Sequence, residues 1–96
     1  MPIKKGSVLE VKSSFSNVYK GSIGICYYVH YIKDMGLYFF LFDNMQKHNM
    51  FMNEIKKRMN MDKIGHSKKV EDYEWSSDPQ LINDFVNEDF ASFFQK

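Results

Sequence analysis

Cys26 and His30 are the first pair to weigh for chemistry, because a thiol beside an imidazole is the usual make-up of a nucleophile and its base. Their spacing argues against it. Four residues along a strand put both side chains on one face about 13 Å apart, beyond direct proton transfer. Cys26 is the single cysteine and lies in an apolar run, so a buried, reduced thiol is the simpler reading. His48 and His66, with Asp43 or Asp62, are the conceivable metal ligands, yet no His-x-x-x-His or Cys-x-x-Cys spacing joins them. Gly21-Ser22-Ile23-Gly24 lacks the pattern of a phosphate-cradling loop. The expectation is no catalytic residue, no metal and no cofactor.

Binding chemistry is better represented. Residues 1 to 70 carry twelve Lys and Arg against five Asp and Glu, whereas residues 71 to 96 carry one Lys against seven acids. A basic body attracts polyanions, and an acidic segment attracts basic surfaces, the body itself included. Lys20, Lys56, Lys57, Arg58, Lys68 and Lys69, with Tyr28 as a stacking group, are the candidate nucleic-acid contacts. Arg58 is the single arginine, which disfavours bidentate reading of bases and leaves phosphate attraction by lysine. Glu71, Asp72, Tyr73, Glu74 and Trp75 mix carboxylates with two large aromatics and are the candidate protein contact. The competing reading makes this a strand or connector, with Tyr73 and Trp75 turned inward while Asp72 and Glu74 face water.

The elements that must hold these residues follow from pattern. Val8-Leu9-Glu10-Val11 reads as a short strand after Gly6, followed by a polar loop around Phe15. Ile23 to Ile32 is rich in β-branched and aromatic residues, with Ile23, Ile25, Tyr27, Val29 and Tyr31 expected on one face. Asp34-Met35-Gly36 supplies a turn, and Leu37 to Phe42 returns as the hairpin partner. That returning strand is apolar on both faces, so a second layer must cover it. The expected cover is a C-terminal helix over residues 78 to 96, with Asp78 as cap, Pro79 at its first position and Leu81, Ile82, Phe85, Val86, Phe90, Phe93 and Phe94 at helical spacing.

Between these parts His48 to Met52 reads as a fourth strand, and Asn53 as the cap of a short helix through Met61. Asp62 to Ser77 reads as a connection, with room for a strand at Val70 to Trp75. Residues 50 to 61 are rich in Met. No apolar run approaches the roughly 18 to 20 residues that span a bilayer, and Met1-Pro2-Ile3-Lys4-Lys5-Gly6 is not followed by a signal-peptide core, so no membrane contact and a cytoplasmic location are expected.

The run Gly6-Ser7-Val8-Leu9-Glu10-Val11, a polar loop, then Lys20-Gly21-Ser22-Ile23-Gly24-Ile25 resembles the opening of SH3-like barrels of the KOW type. There a strand leads through a loop into a Lys-Gly-x-x-Gly turn and a second, alternating strand. The glycines permit positive φ and close strand approach at a bent corner. The resemblance covers about residues 5 to 53 and implies a small β-domain that binds RNA, DNA or protein without catalysis.

The reading is a single α+β domain over residues 1 to 96, a small and strongly bent antiparallel sheet or SH3-like barrel at about 5 to 53, a short helix and connector at 54 to 77, and an acidic, Phe-rich helix at 78 to 96 packed on the sheet. The function it supports is that of a small accessory or regulatory protein of a bacterium or mobile element, which binds another protein. Nucleic-acid binding is the alternative, a small enzyme ranks third, and a homodimer is compatible with the opposed charges.

Overall fold

The computed structural model describes residues 3–15, 17–44, 46–59 and 61–74. Within them, five strands form one antiparallel sheet: β1 (Ser7–Glu10), β2 (Ile23–Ile32), β3 (Met35–Phe42), β4 (Lys47–Phe51) and β5 (Asp62–His66), in the order β4-β3-β2-β1-β5. The ends of that order, β4 and β5, do not pair, so the sheet is open and the barrel expected as one form of the fold is not closed. Among the described residues helix is confined to α1 (Met52–Glu54), a π-helical turn at Ile55–Met59 and α2 (Lys68–Asp72). The helix expected over 78 to 96 lies outside the described residues.

A bulge in β2 reorganises the core. Cys26 faces Phe40 and Tyr28 faces Phe39, so Tyr27 is an extra residue on the β2 side. An inserted residue shifts the alternation by one and bends the strand. Ile23, Ile25 and Tyr27 keep the expected face, joined by Val8, Leu41, Tyr28, Phe39 and, from α2, Val70. Val29 instead joins Cys26 on the opposite face, with Leu9, Val11, Val18, Phe40, Phe42, Met50 and Ile55. The single apolar face expected from Ile23 to Tyr31 is therefore split at the bulge. Fully burying each Leu, Ile, Val or Phe is worth roughly 1.5–3 kcal/mol, and β3 needs apolar residues on both sides because both sides are covered.

The loop between β1 and β2 is folded onto the second cluster and is not a free polar segment. Phe15 and Val18 bridge each other, Val18 is buried, and Val11 closes the loop by hydrogen bonds to Ser22 and Gly21. The β2–β3 turn sits at Lys33-Asp34, one step before the expected Asp34-Met35-Gly36, since Ile32 already pairs with Met35 and Lys33 takes the left-handed conformation (φ 56°). In the β3–β4 turn, the Asn44 amide donates to the Asn17 carbonyl at 2.6 Å, and the Ile23 amide donates to Asp43 at 3.1 Å.

Three local expectations are corrected. Asn53 does not cap the helix: the strand runs to Phe51, which is the cap position, and its N–H donates to the Glu54 carboxylate at 3.1 Å. Asp62 to His66 is a strand and not a connector, paired with β1 through Leu9 and Lys63, and Val8 and Gly65. Its sequence has little strand propensity, so the outer edge of β1 imposes the conformation. Lys68 to Asp72 is a helix where a strand at Val70 to Trp75 was allowed, because the Ser67 hydroxyl accepts the Val70 N–H and caps it.

Candidate functional site

Two surface features stand out once the candidate contacts are placed. The residues proposed for protein contact largely spend their polar groups on the domain itself. Glu71 Oε1 lies 2.8 Å from His66 Nε2, and the Asp72 carboxylate lies 3.2 Å from Lys68 Nζ. The Tyr73 carbonyl accepts a hydrogen bond from Lys5 Nζ. The hydrogen bond from His66 holds the Glu71 carboxyl below its ordinary range, with Lys68 and Lys4 adding attraction against some loss of solvation. The acidic segment thus offsets basic residues within the chain. Tyr73 is exposed, which overturns its inward placement, and Glu74 is exposed beside it. Trp75 lies outside the described residues.

The candidate nucleic-acid contacts are spread over separate elements. Lys20 is exposed in the β1–β2 loop, with its backbone N–H bonded to Ser14 Oγ at 3.0 Å. Tyr28 is half-buried in β2, stacked on His30 with ring centroids 6.4 Å apart and edge-on to Phe39. Lys56 and Lys57 are exposed on the π-helical turn, to which Arg58 contributes backbone; its side chain is outside the described set. Lys68 and Lys69 are exposed on α2, Lys68 within reach of both Glu71 and Asp72. Lys12, another of the basic residues near β1, is held by Glu10 at 2.9 Å and Asp62 at 3.8 Å, and the Glu10 hydrogen bond raises its pKa.

The catalytic candidates separate further. The bulge turns Cys26 into the second cluster and leaves His30 with Tyr28 on the other side, so the two no longer share a face. Burial pushes the Cys26 thiol up to about 12. His48 sits edge-on between Phe15 and Phe42, burial lowers its pKa, and its Nε2 has no partner among the described residues. Among those residues no group of three or more His, Cys, Asp or Glu could hold a metal.

What the sequence reading passed over are the two surface features. The free end of the β2–β3 hairpin exposes Tyr31 (66%) on one face and Ile32 (47%) with its cross-strand partner Met35 (54%) on the other, around the Lys33-Asp34 turn. A cleft of about 300 Å³ opens between the start of the chain, α1, the π-helical turn and β5, lined by Ile3, Leu9, Met52, Ile55, Met61 and the charged Lys56, Asp62 and Lys63. The Met-rich stretch over 50 to 61 was the available signal for the cleft. Period-2 alternation in β2 masked the hairpin end by assigning Tyr31 to the core face.

The architecture defines a small, open antiparallel sheet protein with short helical connections. No family model matches the chain, and neither a curated protein nor a solved structure matches it. No helix among the described residues is long and apolar enough to cross a membrane.

Proposed function

We propose that this chain is a non-catalytic interaction module, a small cytosolic accessory protein that binds another protein through the free end of its β2–β3 hairpin. The carrying observation is the joint exposure of Tyr31, Ile32 and Met35. A hairpin end that presents an aromatic side chain on one face and two apolar ones on the other offers the centre of a contact with a protein that grips it from both sides, and the flanking Lys33 and Asp34 offer a polar rim. The SH3-like resemblance is compatible with this role. It is supported by the entry of β1, through a loop ending at Lys20-Gly21, into the long bent β2.

The test is a photo-crosslinking amino acid at position 31, with the same group at position 47 on β4 as control. The expected result is a protein adduct at 31 that survives nuclease and disappears with Ile32→Glu and Met35→Glu, while the melting temperature is unchanged. Adducts of equal yield at both positions, or none at 31, would sink the reading.

Nucleic-acid binding is the second reading, favoured by Tyr19, which is 64% exposed next to the exposed Lys20. A ring beside a cation suits base stacking with phosphate attraction. It predicts salt-sensitive binding of single strands that Tyr19→Ala weakens.

A further inference from the structure

The cleft beside β5 has the composition of a small-ligand site. Its wall is aliphatic and thioether, from Ile3, Leu9, Met52, Ile55 and Met61, and its charged members are Lys56, Lys63 and Asp62. These charges are not equivalent. Asp62 has a cation near it already, Lys12 Nζ at 3.8 Å. Lys56 and Lys63 form no ion pair among the described residues. Among the described residues the uncompensated sign at the cleft is therefore positive. Lys56 comes from the π-helical turn, a widened form of helix often found at functional sites, and the same turn drives Ile55 into the core while leaving Lys56 exposed.

Size narrows the ligand further. A volume of about 300 Å³ is at the lower end of the roughly 300–1,000 Å³ typical of small-molecule sites. It suits one short apolar chain with one anionic end. The adaptable thioethers of Met52 and Met61 fit a flexible chain better than a rigid ring. We infer that this cleft binds a free aliphatic monocarboxylate, with the chain against Met52, Ile55 and Met61 and the carboxylate between Lys56 and Lys63. The site is independent of the hairpin end, and its failure would leave the protein-binding reading standing.

The experiment is calorimetric titration of the full chain with octanoate, octanamide and octylamine, read alongside the methyl signals of the methionines by NMR. Octanoate should bind at one site with submillimolar affinity, and octanamide and octylamine should each bind at least about tenfold more weakly, about 1.4 kcal/mol per tenfold step. The Met52 and Met61 methyls should shift on octanoate addition while that of Met35, on the hairpin, stays still. Lys56→Glu combined with Lys63→Glu should lower octanoate affinity by about tenfold or more and reverse the preference towards octylamine, with the melting temperature preserved. No binding by any of the three, equal affinity for acid and amine, or shifts centred on Met35 would overturn the proposal. Tighter binding of an acidic peptide, Ac-Phe-Glu-Glu-NH2, than of octanoate would overturn the assignment to a free acid.

Discussion

Gly24 lies beneath the ring of Phe42: a Cβ placed on Gly24 would stand 2.5 Å from Phe42 Cε1 and 2.6 Å from Cδ1. The two residues are partners across β2 and β3, and Phe42 is fully buried. A methyl group there cannot be accommodated without moving a core ring that Phe40 and His48 also contact. Gly24→Ala should therefore lower stability by about 1–3 kcal/mol, the usual cost of overpacking. Chemical denaturation checks it, and a midpoint equal to wild type would show that Phe42 has room to turn.

Gly21 is demanding for a different reason. Its φ is +92° and nothing lies within 4 Å of a Cβ built on it, so the cost of a side chain is conformational and not steric packing. Gly21→Ala and Gly21→Val should each lose about 1–3 kcal/mol, Val the more because branching resists positive φ. The folded fraction should keep its partner binding, which separates the turn from a contact surface. Unchanged stability with lost binding would reverse that assignment.

The His66 and Glu71 contact ties β5 to α2, and its pH dependence has a definite sign. Glu71 titrates below its ordinary value of 4.5 in the folded chain, chiefly through the His66 hydrogen bond. A carboxyl depressed on folding stabilises the fold above its unfolded pKa and loses that contribution as pH falls through the folded one. Below about pH 4.5 wild type should therefore lose stability faster than Glu71→Gln. Parallel melting curves of the two proteins from pH 7 to 3 provide the measurement, and identical slopes would remove Glu71 from the account.

Much of the sheet was legible because β2 and β3 are dense in aromatic and β-branched residues, whose only stable placement is a paired and covered strand. That Gly21 and Gly24 serve the backbone was readable, both being expected at one bent corner, but their separate roles, positive φ at Gly21 and close approach of Phe42 at Gly24, appear only in the structure. The bulge at Tyr27 was not, because the residue types from Ile23 to Ile32 are apolar on both faces and do not mark where the alternation shifts, which appears only in the register with Phe39 and Phe40. β5 was missed because Asp62-Lys63-Ile64-Gly65-His66 owes its conformation to β1. The candidate site fared worse. Glu71, Asp72 and Lys68 looked available as single charges, and their mutual pairing emerges only when α2 forms.

Cys26 provides the last test, of the core and of the expectation that its thiol is inert. Its side chain is buried between β1 and β3 neighbours, its Sγ lies 3.7 Å from the Tyr28 carbonyl, and burial pushes its pKa up to about 12. The thiolate is the reactive form, so at neutral pH both its population and its access are suppressed. A disulfide reagent such as DTNB should leave the folded protein unmodified over hours and titrate one thiol promptly in guanidinium. Because modification then requires opening of the β2–β3 pairing, the slow rate in native buffer should rise in Gly24→Ala by the factor its unfolding equilibrium constant rises, about tenfold per 1.4 kcal/mol of lost stability. Fast modification of the native protein would mean that the β2 bulge opens locally, and Cys26 would return as a candidate reactive group.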